Sequence, residues 1–330
     1  MAAKKSPARK GCPPALLLCG LFLLLLRFVS PLPTPTADLP AADEPALFPL
    51  PLTELSLPSA ESAVPAAPPA VPEPSELPVF TAGSSDAQGT GTVYFKNETA
   101  YASDIASLLH KEPAVSLGAQ GVQVLILHTH GTEAYTPSPG HDYVASGEYR
   151  TTDSSANMLR VGAEICSILN DRGISTIHST VLNDYPAYSG SYNRALREIE
   201  AQIKQHPTIQ LVVDVHRDAI ASGNTYYKTA ATVNGQQTAQ LMFVTGTDAG
   251  GLSHDHWREN LTFQAQLHDR LNSTYPGIMR PMSIRSSRFN QHVRKGSMLV
   301  EVGACGNTLE EALAAAQIFA NTLADALLEQ

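Results

Sequence analysis

Cysteine is scarce in this 330-residue chain, with only Cys12, Cys19, Cys166 and Cys305 present. No two of them form a CxxC pair, which argues against a disulfide framework or a cysteine-rich zinc site. A single Cys166–Cys305 bridge stays open on sequence grounds. Positive charge is also short: the formal net charge is -9, and no basic stripe follows the N-terminus. That balance argues against a general nucleic-acid binder. Several motifs are missing as well. There is no HExxH, no GxSxG elbow, no Walker A loop and no GxGxxG after a strand. Their absence removes the commonest metalloprotease, serine-hydrolase and nucleotide-binding readings. No internal repeat is visible.

What is present is distributed unevenly. Lys4, Lys5, Arg9 and Lys10 precede an apolar run over residues 13–26. This is a positive n-region followed by an h-region, and with residues 27–30 it is just long enough to cross a bilayer. No small-x-small cleavage site follows directly, because Pro31, Pro33 and Pro35 intervene. The expectation for residues 1–30 is therefore a cytoplasmic basic tip and an uncleaved transmembrane signal anchor, oriented by the positive-inside rule. A cleaved signal peptide is the alternative, and either one exports the rest of the chain. Of the 24 prolines, 14 lie between Pro31 and Pro78. Residues 31–91 accordingly read as a Pro/Ala-rich disordered linker, and residues 92–330 as a single folded domain.

Within that domain strands alternate with helices. Residues 92–96, 122–127, 174–178, 209–215, 226–233, 240–245 and 298–302 read as strands. Residues 104–110, 153–171, 189–204, 256–275 and 309–328 read as helices, with Ser103 as candidate cap of the first and Asp153 or Ser154 of the second. The turn at Asn234–Gly235 predicts an antiparallel hairpin joining 226–233 to 240–245, and residues 279–292 read as irregular. The pattern implies an α/β fold, one mixed-sheet layered domain with flanking helices.

The chemistry-bearing residues sit where apolar runs end. VLILHTHG carries His128 and His130, LVVDVHRD carries Asp214 and His216, and MLVEVG carries Glu301. Open α/β sheets place their sites at that carboxyl edge. Two imidazoles and one carboxylate form a common ligand set for catalytic zinc, with a position left open for water. Such a centre also needs a general base, for which Glu301 is the best candidate: a carboxylate in an apolar strand must be paired, hydrated or functional. Each residue also has a plainer reading, His130 and His216 as loop or capping histidines and Glu301 as an ion-pair partner. His128 and His178 read as structural, and His254, His256 and His292 as solvated or in substrate loops. Residue spacing alone supports no more than a metal-dependent hydrolase.

The runs HTHGTEAYTP, RTTDSSANMLRVGAEI, YPAYSGSYNRA, DVHRDA, WRENL, RFNQ and LVEVGACGNTLEEA go further. Together they resemble the stage II sporulation protein P family from about Tyr94 to the C-terminus. That family is related to the zinc-dependent N-acetylmuramoyl-L-alanine amidases. The resemblance implies an amidase-like catalytic domain over residues 92–330 holding one zinc ion. By matching motifs, His130 looks like the first ligand, Asp153 the second and His216 the third, and Glu301 looks like the catalytic acid/base. Two departures from the amidase pattern matter: Asp stands where Glu is usual, and His-Thr precedes His130. Glu133 is therefore the rival for the acidic ligand and His128 for the first histidine. Arg217, Arg288 and Asn290 would contact substrate carboxylates. The implied activity is hydrolysis of the muramoyl-L-alanine amide, with peptide cross-links as further targets, by a membrane-anchored enzyme of sporulation engulfment. Its partners would be peptidoglycan and the glycan-trimming stage II sporulation protein D. The competing expectations are a non-catalytic wall-binding scaffold on the same fold and a metallopeptidase of another family.

Overall fold

The computed structural model describes residues 77–80, 87–102, 104–118 and 120–329. The anchor at 1–30, most of the linker and the Ser103 cap lie outside the described residues. In chain order the elements are β1 (Gln88–Thr90), β2 (Val93–Asn97), α1 (Ile105–Leu108), β3 (Val124–Leu127), α2 (Met158–Asp171), β4 (Thr176–His178), α3 (Ser191–Gln205) and β5 (Leu211–Asp218). Two small hairpins follow, β6 (Ala221–Ser222) with β7 (Thr225–Tyr226) and β8 (Ala231–Val233) with β9 (Gln236–Thr238). The chain closes with β10 (Leu241–Gly246), α4 (Trp257–Thr274), β11 (Met282–Arg285), β12 (Met298–Ala304) and α5 (Leu309–Leu328). Among the described residues no helix is long and apolar enough to cross a membrane.

Eight strands form one mixed sheet in the order β1-β2-β11-β10-β12-β5-β3-β4. The run β12-β5-β3-β4 is parallel throughout, while β10 runs antiparallel to β12. The parallel strands are the most apolar, as strands covered on both faces must be. β3 reads Val124-Leu125-Ile126-Leu127, with every side chain fully buried. Its period of two splits those residues between two cores: Val124 and Ile126 join α2, α4 and α5 on one face, while Leu125 and Leu127 join Ala195 and Ile199 of α3 on the other. Each such aliphatic side chain contributes about 1.5–3 kcal/mol on burial.

Helix boundaries follow local hydrogen-bond chemistry. α5 begins where sequence places it, and Thr308 and Glu311 close a reciprocal capping box at its start. α2 begins five residues later than 153. The Asp153 carboxylate is committed to a local turn, accepting from Ser155 N at 2.9 Å and Ser155 Oγ at 2.7 Å. Asn157 in extended conformation caps the helix instead, accepting from Leu159 N. Gly173, just past the end of α2, has the left-handed φ of +84° that such a stop requires.

Three expectations are corrected. Asn234 and Gly235 do form the turn, both at positive φ, but they join β8 to β9. β10 instead enters the main sheet between β12 and β11. The stretch read as irregular contains β11, whose Met282 and Ile284 enter the core while Ser283 and Arg285 face away. The folded part starts before residue 92, since β1 pairs with β2 and Val79 bridges Lys228. Cys166 and Cys305 are both free thiols.

Gly162 of α2 is required by close packing, because an added Cβ would collide with the rings of His128 and His178, the latter at 2.6 Å. Overpacking of this kind costs about 1–3 kcal/mol. Gly162→Ala should therefore lower unfolding stability by about 2 kcal/mol in a urea melt. Unchanged stability would contradict the packing of α2 onto the His128–His178 pair.

Candidate functional site

The topology reverses at β3, which lies between β4 and β5, the two strands that follow it in sequence. A crevice outside the carboxyl ends of such strands is where open α/β sheets bind ligands. His130 and Glu133 lie in the loop leaving β3, and His216 lies near the end of β5. Glu301 reaches the same place through strand register, since β12 pairs in parallel with β5 and sets Glu301 directly opposite His216. Residues paired in this way point to the same face. His130, Glu133, His216, Arg217 and Glu301 all line one cavity of about 550 Å³.

His216 is the hub. Its Nδ1 lies 3.6 Å from Glu133 Oε2, and its Nε2 stands 2.9 Å from Asp214 Oδ1. Burial disfavours the charged ring, but the Asp214 carboxylate, and then Glu133, raise its pKa well above that of an ordinary histidine. Asp214 is itself fixed, accepting from Thr129 N at 2.8 Å and Thr129 Oγ1 at 2.6 Å. Burial also pushes the Glu133 carboxyl up. Arg217 and the His216 ring outweigh it, holding the group at about 2. Arg150 Nη2 adds a contact at 3.3 Å.

His130 is the neutral member. Its ring stacks on Tyr188 at 4.6 Å and meets His216 edge-on at 5.2 Å. Burial lowers its pKa, and its Nδ1 is buried without a hydrogen-bond partner among the described residues. Glu301 Oε2 is in the same condition. Burial pushes the Glu301 carboxyl up to about 8, with Asp218 and Glu133 reinforcing the shift and His216 and Arg217 opposing it. A buried imidazole with a spare lone pair, a second imidazole and an ionised carboxylate fit a divalent cation such as zinc. Among the described residues no group of three or more His, Cys, Asp or Glu is arranged to hold a metal ion. The donors share a cavity, and the His216 ring lies between Asp214 and Glu133, with its Nε2 making no hydrogen bond among the described residues.

The other candidates fall elsewhere. Asp153 is exposed and committed to its turn with Ser155, and it does not line the cavity. Glu133 lines the cavity with His130 and His216. His128 is satisfied structurally: Nδ1 donates to Val215 O at 2.8 Å, so Nε2 accepts from His178 at 2.9 Å. Arg217 lines the cavity, but its Nε and Nη2 donate to Ala134 O and Tyr149 O, making it a strut and counter-charge. Arg288 and Asn290 line a neighbouring pocket with Tyr192, while Phe289 between them turns into the main cavity. Asn290 Nδ2 donates to Tyr192 O at 2.8 Å. Asp214, noted in the sequence only as a polar residue at a strand end, is the partner beside the His216 ring. The signal was available, since a carboxylate inside LVVDVH calls for the same explanation as Glu301 inside MLVEVG.

Fold and site together define a mixed-sheet α/β protein with a strand-end His/Glu centre suited to acid–base chemistry. The chain belongs to the stage II sporulation protein P (SpoIIP) family, whose model matches residues 80–324. It is similar to stage II sporulation protein P of Bacillus subtilis (strain 168), at 27% identity over 234 residues. That alignment covers 66% of this chain and 55% of the relative, so the chain spans about half the relative's length. Two solved structures are also similar. The N-acetylmuramyl-L-alanine amidase Ami1 of Mycobacterium smegmatis overlays with a TM-score of 0.39 at 14% identity, covering 65% of this chain and all of that one. The N-acetylmuramoyl-L-alanine amidase AmiC2 of Nostoc punctiforme gives 0.35 at 16%, covering 64% and 98%.

The burial of Glu301 has a thermodynamic consequence in the metal-free chain. Its folded pKa of about 8 exceeds the usual 4.5. Ionisation therefore opposes folding above pH 4.5, and the penalty grows until pH 8. In chelator-treated protein, Glu301→Gln should be more stable than the parent by on the order of 4 kcal/mol at pH 8 and equal to it at pH 4. Denaturant melts at the two pH values decide this, and no difference at pH 8 would contradict it.

Proposed function

We propose that this chain is a membrane-anchored, zinc-dependent peptidoglycan hydrolase of sporulation engulfment. It would cleave the muramoyl-L-alanine amide and also peptide cross-links. The observation that supports this most is one cavity shared by His130, Glu133 and His216 with Glu301, whose carboxyl is buried, raised in pKa and partly unpartnered. His130, Glu133 and His216 would hold the zinc ion, with Asp214 orienting the His216 ring as metal-binding histidines commonly require. Zinc at these donors would supply Lewis acidity to the scissile carbonyl and lower the pKa of water toward about 7.

Glu301 does the proton work. In its ionised form Glu301 would take a proton from the attacking water. The same oxygen then returns the proton to the leaving amide nitrogen. Arg217 keeps Glu133 ionised, so the cation site does not compete with Glu301 for protons. Residues 1–30 would tether the domain outside the membrane, and stage II sporulation protein D would be the glycan-trimming partner.

The acidic ligand is separable by mutation. Glu133→Gln should reduce zinc affinity at least tenfold by titration calorimetry, whereas Asp153→Asn should bind like the parent. Reversed behaviour would restore Asp153 as the ligand.

Activity is tested by incubating the full chain with purified sacculi and separating products by mass. Free stem peptides should appear, vanish with chelator, return with zinc, and be absent for Glu301→Gln. Sacculi that are bound but never cut, even after glycan trimming, would favour a wall-binding scaffold.

A further inference from the structure

Most buried side-chain polar atoms that lack a hydrogen-bond partner among the described residues gather in two places. One is the His/Glu centre, with His130, His216 and Glu301. The other lies in the loop entering α4 and in the one-turn 3-10 helix Gln291–Val293 before β12. There both ring nitrogens of His254, Nδ1 of His292 and Oδ1 of Asp248 are unpaired. Sequence suggests solvated histidines at these positions, yet His254 is fully buried. Burying such groups without partners costs stability unless a ligand takes them.

Backbone contacts bring the two segments together. Gly250 N donates to Ser286 O at 2.9 Å, and Arg288 Nη1 donates to Ser253 O at 3.2 Å. The His254 and His292 rings then meet edge-on, with centroids 6.4 Å apart. Burial lowers both rings' pKa to about 4, so each offers a lone pair at neutral pH. Asp248 is close enough to act on the charge of His254, and His256 acts on both rings. Arg288 opposes added positive charge here, and the Asp248 carboxylate answers it. None of these three histidines, nor Asp248, lines the main cavity or the neighbouring pocket, which favours a single ion over an organic ligand.

Imidazole nitrogens with a carboxylate oxygen are ligands of zinc-type divalent ions. We propose that His254, His292 and Asp248 form a second, structural zinc site, with His256 placed to complete a four-ligand shell. Two imidazoles on one tetrahedral zinc have centroids roughly 5 Å apart, so the ion would draw these rings together by about 1 Å. That contraction accounts for the absence of a finished shell among the described residues. Structural zinc sites are closed, and loading them is coupled to folding. Here the ion would staple the loop entering α4 to the turn that carries Phe289 and Asn290. Both of those residues hold left-handed φ, +47° and +57°, a conformation that costs stability outside glycine. The staple would thereby fix the Phe289 ring, which reaches the main cavity. The proposal does not depend on catalysis at Glu301.

The test counts zinc on the full chain. Protein stripped with chelator is reloaded with zinc alone and gel-filtered, and its metal content is measured by mass spectrometry. His254→Gln and Asp248→Asn should each carry about one equivalent less than the parent, whereas His130→Ala should still carry about one. Combining His130→Ala with His254→Gln should leave none. A second reading needs no change at the new site: zinc added to the His130→Ala chain should slow amide exchange across residues 247–256 and 286–293. Unchanged zinc content in His254→Gln and Asp248→Asn, or exchange in these loops indifferent to zinc, would overturn the site. Zinc lost with His254 but not with His130 would support this site and remove the zinc hydrolase reading alone.

Discussion

The parallel pairing of β12 with β5 is the constraint on which the site depends. It places Glu301 opposite His216 on one face of the sheet, and His216 is two residues from a second buried acid, Asp214. Glu133 completes a group of carboxylates that could not coexist in an apolar interior without compensation. Arg217, Arg150 and the His216 ring supply it. Removing one partner from such an arrangement leaves an uncompensated buried charge, which is far costlier than the intact group is stabilising. Glu301 is the member with least compensation, and it is the one whose carboxyl is pushed into the range useful for proton transfer.

The division of the sheet explains where the site opens. α3 covers β3, β4 and β5, and the seam between those strands and bare β12 is where the His/Glu centre lies. A sheet buried on both faces throughout would have left no open cavity at the strand ends. The short strand β11 matters here because it widens the bare half without adding a covering helix. Its outward residues, Ser283 and Arg285, are polar for the same reason.

Sequence reading located the strand ends carrying His130, His216 and Glu301, because apolar runs ending in polar residues are a strong period signal. It also placed α5 at its observed bounds. It misjudged elements decided by partners remote in sequence. Four-residue β11 has the right alternation but is too short to stand out, and β10 was assigned to the wrong neighbour because a good turn lay nearby. The two acidic candidates offered by the sequence, Asp153 and Glu133, are separated by the fold. Asp153 sits near a helix start in sequence, but its Asx-type turn with Ser155 holds it at the surface. Glu133 is brought to His216 by the loop leaving β3, a path that no residue spacing records.

The most direct test is anomalous diffraction at the zinc edge from crystals of the full chain grown with a slight molar excess of zinc. One strong peak within bonding distance of His130, Glu133 and His216, with Glu301 beside it but not bonded, is the predicted result. A peak at Asp153, or none in the cavity while His216 stays on Asp214, would contradict the assignment of this cluster as the metal centre.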